Sequence, residues 1–161
     1  MIELIKIKKL KQIDLKSCLN LVHNEKDNFI DLKFIGWSKK QITSQFSKSI
    51  DYSLGIYKDN NLISFMLGDL ISIEKDAEYE ILVLYVKKSE RREGFASKLL
   101  KYIEKQKKNL NLKKIYLEVS KNNNNAIYLY KKNKYNLIYI RKNYYLIKNK
   151  KIDSLCYAKL L

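Results

Sequence analysis

The 161-residue chain contains no proline, two cysteines and a single histidine. Cys18 and Cys156 stand near opposite ends of the sequence, and no export signal accompanies them. They read as reduced packing residues rather than a disulfide. With only His23 beside them there is no zinc-ligand spacing, and no metal site is expected. His23 itself reads as a helix-surface residue. No apolar run approaches the roughly 20 residues of a membrane span. The start, Met1-Ile2-Glu3-Leu4-Ile5-Lys6-Ile7, alternates polar and apolar residues and lacks the long apolar core and cleavage site of a signal peptide. A cytoplasmic protein with no membrane partner is the default expectation. Neither an internal repeat nor a Gly/Ser linker divides the chain, so one domain over residues 1–161 is expected.

Acidic residues are also scarce. Asp and Glu number 17 against 33 Lys and Arg, for a net charge of +16. Such a balance suggests nucleic acid. The lysines, however, are scattered along the whole chain rather than gathered in a tail. The wealth of Lys, Asn, Ile and Tyr and the lack of Pro are the bias that an A/T-rich genome imposes. Two readings stand: a solvated surface, or a field that draws in an anionic cofactor or suits an RNA-rich setting. Nucleic-acid binding beyond non-specific attraction is not expected.

The hydrophobic fraction, 46%, suits a globular core. Ile2 to Ile7 predicts a strand. Asp14 is placed to cap a helix carrying Leu15, Cys18, Leu19 and Val22 on one side, and Ser38 a second with Ile42 and Phe46. Tyr52 to Tyr57 and Leu62 to Leu70 flank the Asp59-Asn60-Asn61 turn and predict a hairpin. Glu80 to Val86 is a strongly apolar strand, predicted to be central with both faces buried. A helix to about Lys108 and a strand from Lys114 to Val119 follow, which makes a βαβ unit with parallel strands. A shorter helix spans about Asn124 to Lys132. Tyr135 to Arg141 and Ser154 to Leu160 are predicted to close the sheet around a long loop.

Within this frame, Arg91-Arg92-Glu93-Gly94-Phe95-Ala96-Ser97 joins the apolar strand to an amphipathic helix. A basic, glycine-containing turn there offers backbone N–H groups and the positive end of a helix dipole to an anion, most simply a pyrophosphate. An ordinary capped loop is the alternative. Glu118 lies on the opposite side of its strand from Ile115, Leu117 and Val119. A carboxylate on an apolar strand is either ion-paired or functional.

The element order and the Arg91-Arg92-Glu93-Gly94-Phe95-Ala96 turn resemble the GCN5-related N-acetyltransferase (GNAT) superfamily. Tyr116-Leu117-Glu118-Val119, then Asn123, Ala126-Ile127 and Leu129-Tyr130, are similar to the ribosomal-protein alanine N-acetyltransferases, the RimI family. So are Glu80-Ile81-Leu82, Trp37-Ser38 and Arg141-Lys142-Asn143-Tyr144-Tyr145. The match is dense from Glu80 to Tyr145 and sparse before Tyr52. Gly36 stands where that family usually has Pro, and Arg91 where it often has Gln.

The resemblance implies an α/β fold with a central mixed sheet of about six to seven strands flanked by about four helices, and acetyl-CoA as acetyl donor. Arg91, Arg92, Glu93, Gly94, Phe95, Ala96 and Ser97 would hold the pyrophosphate. The backbone of Leu84, Tyr85 and Val86 would pair with the pantetheine arm where the strand splays, with the Val86 N–H serving the oxyanion. Asn123 would bond the same arm. Glu118 is implied as general base and Tyr130, also at the cofactor, as general acid. Trp37, Tyr144 and Tyr145 are candidate walls of a peptide cleft, though Trp37 suits core packing equally. The implied substrate is the α-amine of an N-terminal alanine on a small-subunit ribosomal protein. A lysine side chain or a small amine is the alternative within the fold, and a non-enzymatic RNA-binding module the alternative outside it.

Overall fold

Asp59 and Asn60 turn the chain with φ of 47° and 66°. Two successive left-handed residues match the twist of a tight hairpin, and short polar side chains tolerate that conformation best. In the computed structural model, which describes residues 4–23, 37–147 and 149–161, this turn joins β2 (Leu54–Lys58) to β3 (Asn61–Ile73). The other strands are β1 (Ile5–Lys9), β4 (Asp76–Val86), β5 (Leu112–Ser120), β6 (Asn136–Ile147) and β7 (Lys150–Leu160). They form one sheet in the order β1-β2-β3-β4-β5-β7-β6. Every pairing is antiparallel except β4 with β5, the expected βαβ pair.

Five helices flank the sheet among the described residues: α1 (Leu15–His23), α2 (Lys39–Ser49), α3 (Phe95–Lys105), α4 (Lys107–Leu110) and α5 (Asn124–Lys132). Cys18, Leu19 and Val22 of α1 and Ile42 and Phe46 of α2 pack against Phe65, Leu67, Val83 and Tyr85 on one face. Phe95, Leu99, Leu100 and Ile103 of α3 and Tyr130 of α5 pack against Ile81, Ile115, Leu117 and Val119 on the other. Each fully buried Leu or Ile of these layers contributes on the order of 1.5–3 kcal/mol. Among the described residues no helix is long and apolar enough to cross a membrane.

Ser38 caps α2 as expected. Its Oγ accepts the Gln41 N–H at 3.2 Å and the Gln41 side chain accepts the Ser38 N–H at 2.7 Å, a reciprocal box. Asp14 does not cap α1. It ends a 3-10 turn, Gln12–Asp14, and its carboxylate accepts the Lys11 N–H at 2.7 Å, so the cap acts one turn earlier than the sequence suggests. The first strand runs from Ile5 to Lys9, two residues beyond its expected end; residues 1–3 and Gly36 lie outside the described part. The helix expected to reach Lys108 breaks at Gln106 and resumes as α4, which ends at Asn111 with φ of 50°.

β4 is fourth of seven, hence central, but its burial alternates. Ala77, Tyr79, Ile81, Val83 and Tyr85 are buried and the residues between them only partly so. A bulge at Leu82 changes the buried face partway along the strand. Leu67 pairs with Val83 and Gly68 with Ile81, so Leu82 has no partner on β3. The extra residue turns Ile81 toward α3 but Val83 toward α1 and α2. The long loop expected between the last two strands is mostly strand. β6 runs on to Ile147, interrupted by a register shift between Arg141 and Tyr145. Asp153 holds that bulge, accepting the Asn143 N–H at 3.0 Å and the Lys142 ammonium at 3.3 Å.

Candidate active site

The β4–β5 ladder ends at the Ile81–Leu117 pair. Beyond it β4 continues along β3 to Val86, while β5 continues along β7 to Ser120. The two parallel strands therefore part at the Leu82 bulge and leave a wedge at their carboxyl ends. The Lys87 N–H donates to Ile63 O at 2.9 Å, and Ser64 Oγ donates to Tyr85 O at 2.7 Å, so Tyr85 and Lys87 present their backbone groups to β3. Alternation then turns the backbone of Leu84 and Val86 into the wedge. Arg91 Nε donates to Val86 O at 3.0 Å from that side. The Tyr85 side chain belongs to the other layer, its hydroxyl donating to Leu21 O at 3.2 Å.

The turn after β4 enters α3 through Arg92 and Gly94, with φ of 69° and 82°. Gly94 is the N-cap residue, and a Cβ built there meets nothing within 4 Å. Its requirement is the backbone angle, not space. The Lys98 N–H closes the first helical bond to Gly94 O at 3.0 Å. The N–H groups of Phe95, Ala96 and Ser97 precede it and have no carbonyl one turn back. Arg91, Arg92, Glu93 and Gly94 are exposed, whereas the Phe95 ring is core. Phe95 can serve an anion only through its backbone.

Glu118 sits on β5 opposite Cys156 of β7, at the mouth of the wedge. Its Oε1 accepts Arg141 Nη1 at 2.7 Å, and the Arg141 guanidinium lies 3.9 Å from the Tyr144 ring centroid. The bond to Glu118 raises the Arg141 pKa above its ordinary value. Burial and the Glu118 carboxylate push the Cys156 thiol up, which keeps it protonated. Tyr144 is exposed and meets Tyr145 edge-on at 4.9 Å. Tyr145 is buried, and its hydroxyl accepts Ser154 Oγ at 3.4 Å. Of the expected cleft walls, Tyr144 thus lies at the surface beside Arg141 and Tyr145 is largely core. Trp37 packs against the α1–α2 layer.

Tyr130 is 7% exposed, with its ring centroid 6.0 Å from that of Tyr135 and 6.4 Å from that of Tyr157. Burial pushes its hydroxyl pKa up, so the ring holds its proton. Asn123 caps α5, its side-chain oxygen accepting the Ala126 N–H at 3.2 Å. That leaves the amide NH₂ on an exposed residue as a donor.

Tyr116 and Glu80 form a further pair at the wedge, one not expected from the sequence. Tyr116 OH donates to Glu80 Oε2 at 3.2 Å across the last rows of the β4–β5 ladder. Burial raises the Glu80 pKa, the Tyr116 bond partly offsets this, and the Glu118 and Asp69 carboxylates add to the rise. Strand alternation was the available signal, since it puts Glu80, Tyr116 and Glu118 on one side of the sheet.

A mixed sheet with one parallel pair that parts in mid-strand, and a basic glycine turn leading from its first strand into a helix, defines an acetyltransferase architecture. The chain belongs to the acetyltransferase (GNAT) family, whose model matches residues 17–135. A sequence search of curated proteins finds no match. Among solved structures, the ribosomal-protein-S18-alanine N-acetyltransferase of Escherichia coli is similar at 20% identity and a TM-score of 0.80, covering 98% of this chain and 94% of that one. Arabidopsis thaliana NAA60 in complex with a bisubstrate analogue is similar at 20% identity and 0.79, covering 98% of each. Arabidopsis thaliana Naa50, in complex with the bisubstrate analogue CoA-Ac-MVNAL, is similar at 20% identity and 0.78, covering 98% and 99%.

Proposed function

We propose that this acetyltransferase uses acetyl-CoA to acetylate the α-amine of a protein N-terminus, an N-terminal alanine on a small-subunit ribosomal protein being the implied target, and that residues 1–161 work as one domain. The observation that carries it is the wedge. The Leu84 backbone and the Val86 N–H, which have no strand opposite, the helix-start N–H groups of Phe95, Ala96 and Ser97, and the Glu118 carboxylate all gather at the carboxyl ends of one parallel strand pair. The donor set suits a ligand with an anionic pyrophosphate at one end and an amide-bearing arm: helix-start N–H groups with Arg91 and Arg92 for the first, a strand edge and the Asn123 amide for the second.

When bound, acetyl-CoA supplies a thioester carbonyl open to attack by an amine. The Val86 N–H, turned into the wedge, would hold the negative charge that develops on the carbonyl oxygen. Glu118 would accept the proton that the attacking amine sheds, through a water. A free α-amine has a reference pKa of about 7.7–8.0, well below the roughly 10.4 of lysine, so this transfer is easier for an N-terminus. Tyr130, which keeps its proton when buried, would give it to the departing sulfur. Related structures support the reading, since their bound ligands include bisubstrate analogues and one is a ribosomal-protein acetyltransferase.

The test offers the protein acetyl-CoA and two peptides, one with a free N-terminal alanine and one N-terminally blocked but containing lysine. Acetylation of the first alone is expected. Transfer confined to the blocked peptide overturns the α-amine reading in favour of a lysine acetyltransferase, and RNA binding with no transfer to either favours a binding module.

A further inference from the structure

The residue after α5 reaches back to the start of α3. Asn133 is 8% exposed. Its side-chain amide donates to Ser97 Oγ at 2.9 Å and to Leu129 O at 2.8 Å, and its backbone N–H reaches Leu129 O and Tyr130 O at 3.1 Å each. Its carbonyl accepts Lys159 Nζ at 3.1 Å, and the same ammonium pairs with Glu104 Oε2 at 2.7 Å. Tyr135 OH touches the other oxygen of Glu104 at 3.5 Å. Ser97 and Glu104 are seven residues apart on α3, so they share a face two turns along. α3 is strapped at both points to the short stretch behind α5.

The remaining grip on α3 is apolar, through Leu99, Leu100 and Ile103. Apolar contact holds a helix against a sheet but is non-directional and specifies its axial position weakly. Directional bonds specify it. The first turn of α3 carries the N–H groups assigned to the pyrophosphate, and Tyr130 stands on α5 three residues before Asn133. A ligand held at the one and reacting at the other must span a distance that the Ser97–Asn133 bond sets.

We propose that Asn133 is a positioning residue, which fixes the anion-holding end of α3 relative to Tyr130 through Ser97. The proposal rests on the acetyl-CoA reading. Asn133 itself touches no ligand in this role. Its effect passes through the placement of three backbone N–H groups, so it acts on ligands that carry the pyrophosphate and spares those that lack it.

The test measures CoA binding by calorimetry, without peptide, for the wild type, Asn133→Leu, Ser97→Ala and the double variant. Loss of the part-buried Ser97–Asn133 bond, which both variants share, should raise the Kd for CoA by about five- to tenfold in each single variant. The double variant should be no weaker than the weaker single one, because both remove the same bond. With acetyl-pantetheine, which has no pyrophosphate, Asn133→Leu should acetylate peptide at the wild-type rate. Single variants that bind CoA like the wild type overturn the proposal, as do equal losses with both donors. If Asn133→Leu fails to fold, Asn133→Ala takes its place in the same two comparisons, CoA affinity and turnover with acetyl-pantetheine. A wild-type protein that binds no CoA overturns the acetyl-CoA reading, and this proposal with it; a wild type that binds while both variants bind equally well overturns this proposal only.

Discussion

Arg141 and Glu118 form an ion pair of 2.7 Å across β7, with the guanidinium resting on the Tyr144 ring. Both partners reach solvent, with side-chain exposures of 44% and 26%. Exposed pairs of this kind contribute little to stability. Arg141→Gln should therefore leave the thermal midpoint unchanged while altering peptide turnover, because the charge beside Glu118 is lost. A clear fall in midpoint with unaltered turnover would make the pair a structural clasp.

Glu118→Gln removes the proposed proton acceptor and keeps the shape. Tyr130→Phe removes one hydroxyl from a ring that packs among Tyr135 and Tyr157. Each should lower kcat about 10²-fold or more, the usual contribution of one acid or base. Neither should weaken CoA binding, measured by calorimetry. A variant that turns over at the wild-type rate takes its residue out of the mechanism.

Gly94→Ala tests the turn. Its methyl group would stand in open space, so the whole cost is the left-handed angle, roughly 1–2 kcal/mol. Denaturant unfolding should show that loss, and Gly94→Asn should recover part of it, because Asn tolerates this conformation better. Equal losses in the two variants would mean that something other than φ selects glycine.

Gly68→Ala should cost more. A Cβ there runs into the Tyr79 ring and hydroxyl, and that ring is fully buried with its hydroxyl bonded to Tyr52 O at 2.7 Å. Backbone on one side and a fixed ring on the other leave nowhere to give, so the loss should exceed about 2 kcal/mol by denaturant unfolding.

Asp153 supplies a pH test. The Asn143 N–H, then Lys142 and Lys121, lower its pKa below the ordinary carboxylate value. A lowered folded-state pKa stabilises the fold above the unfolded pKa, and that contribution disappears as pH falls through the folded one. Asp153→Asn should thus melt below the wild type at neutral pH and level with it in strong acid. A gap that persists in acid would assign the effect to geometry rather than charge.

Much of this arrangement is written locally. The Asp-Asn turn, the Ser38–Gln41 box and the strand–Gly94–helix junction depend on residues a few positions apart, and their chemistry points to them directly. The parallel β4–β5 pair follows from having a helix between two strands. Longer-range features do not show. Arg141 and Glu118 are 23 positions apart, and whether Glu118 is paired depends on β7 lying between their strands and on the bulge after Arg141. The same bulge decides that Tyr145 is buried while Tyr144 is exposed, a distinction that two identical neighbours cannot carry. The Leu82 bulge reverses which layer β4 feeds. No run of apolar residues announces that, because both layers are apolar.

The parting of β4 from β5 also links ligand to fold. An ordinary parallel ladder would continue its rungs past Ile81 and Leu117. Here the rungs stop, and the Leu84 backbone and the Val86 N–H face away from β3 with no strand opposite, while Val86 O accepts Arg91 Nε. Any extended amide chain that lies along that edge adds rungs to the native state and none to the unfolded chain. A ligand that binds only the folded state raises the melting temperature, with about 2.7 kcal/mol gained at a hundred times Kd. Thermal protection by candidate donors thereby ranks them without any need for a known acceptor.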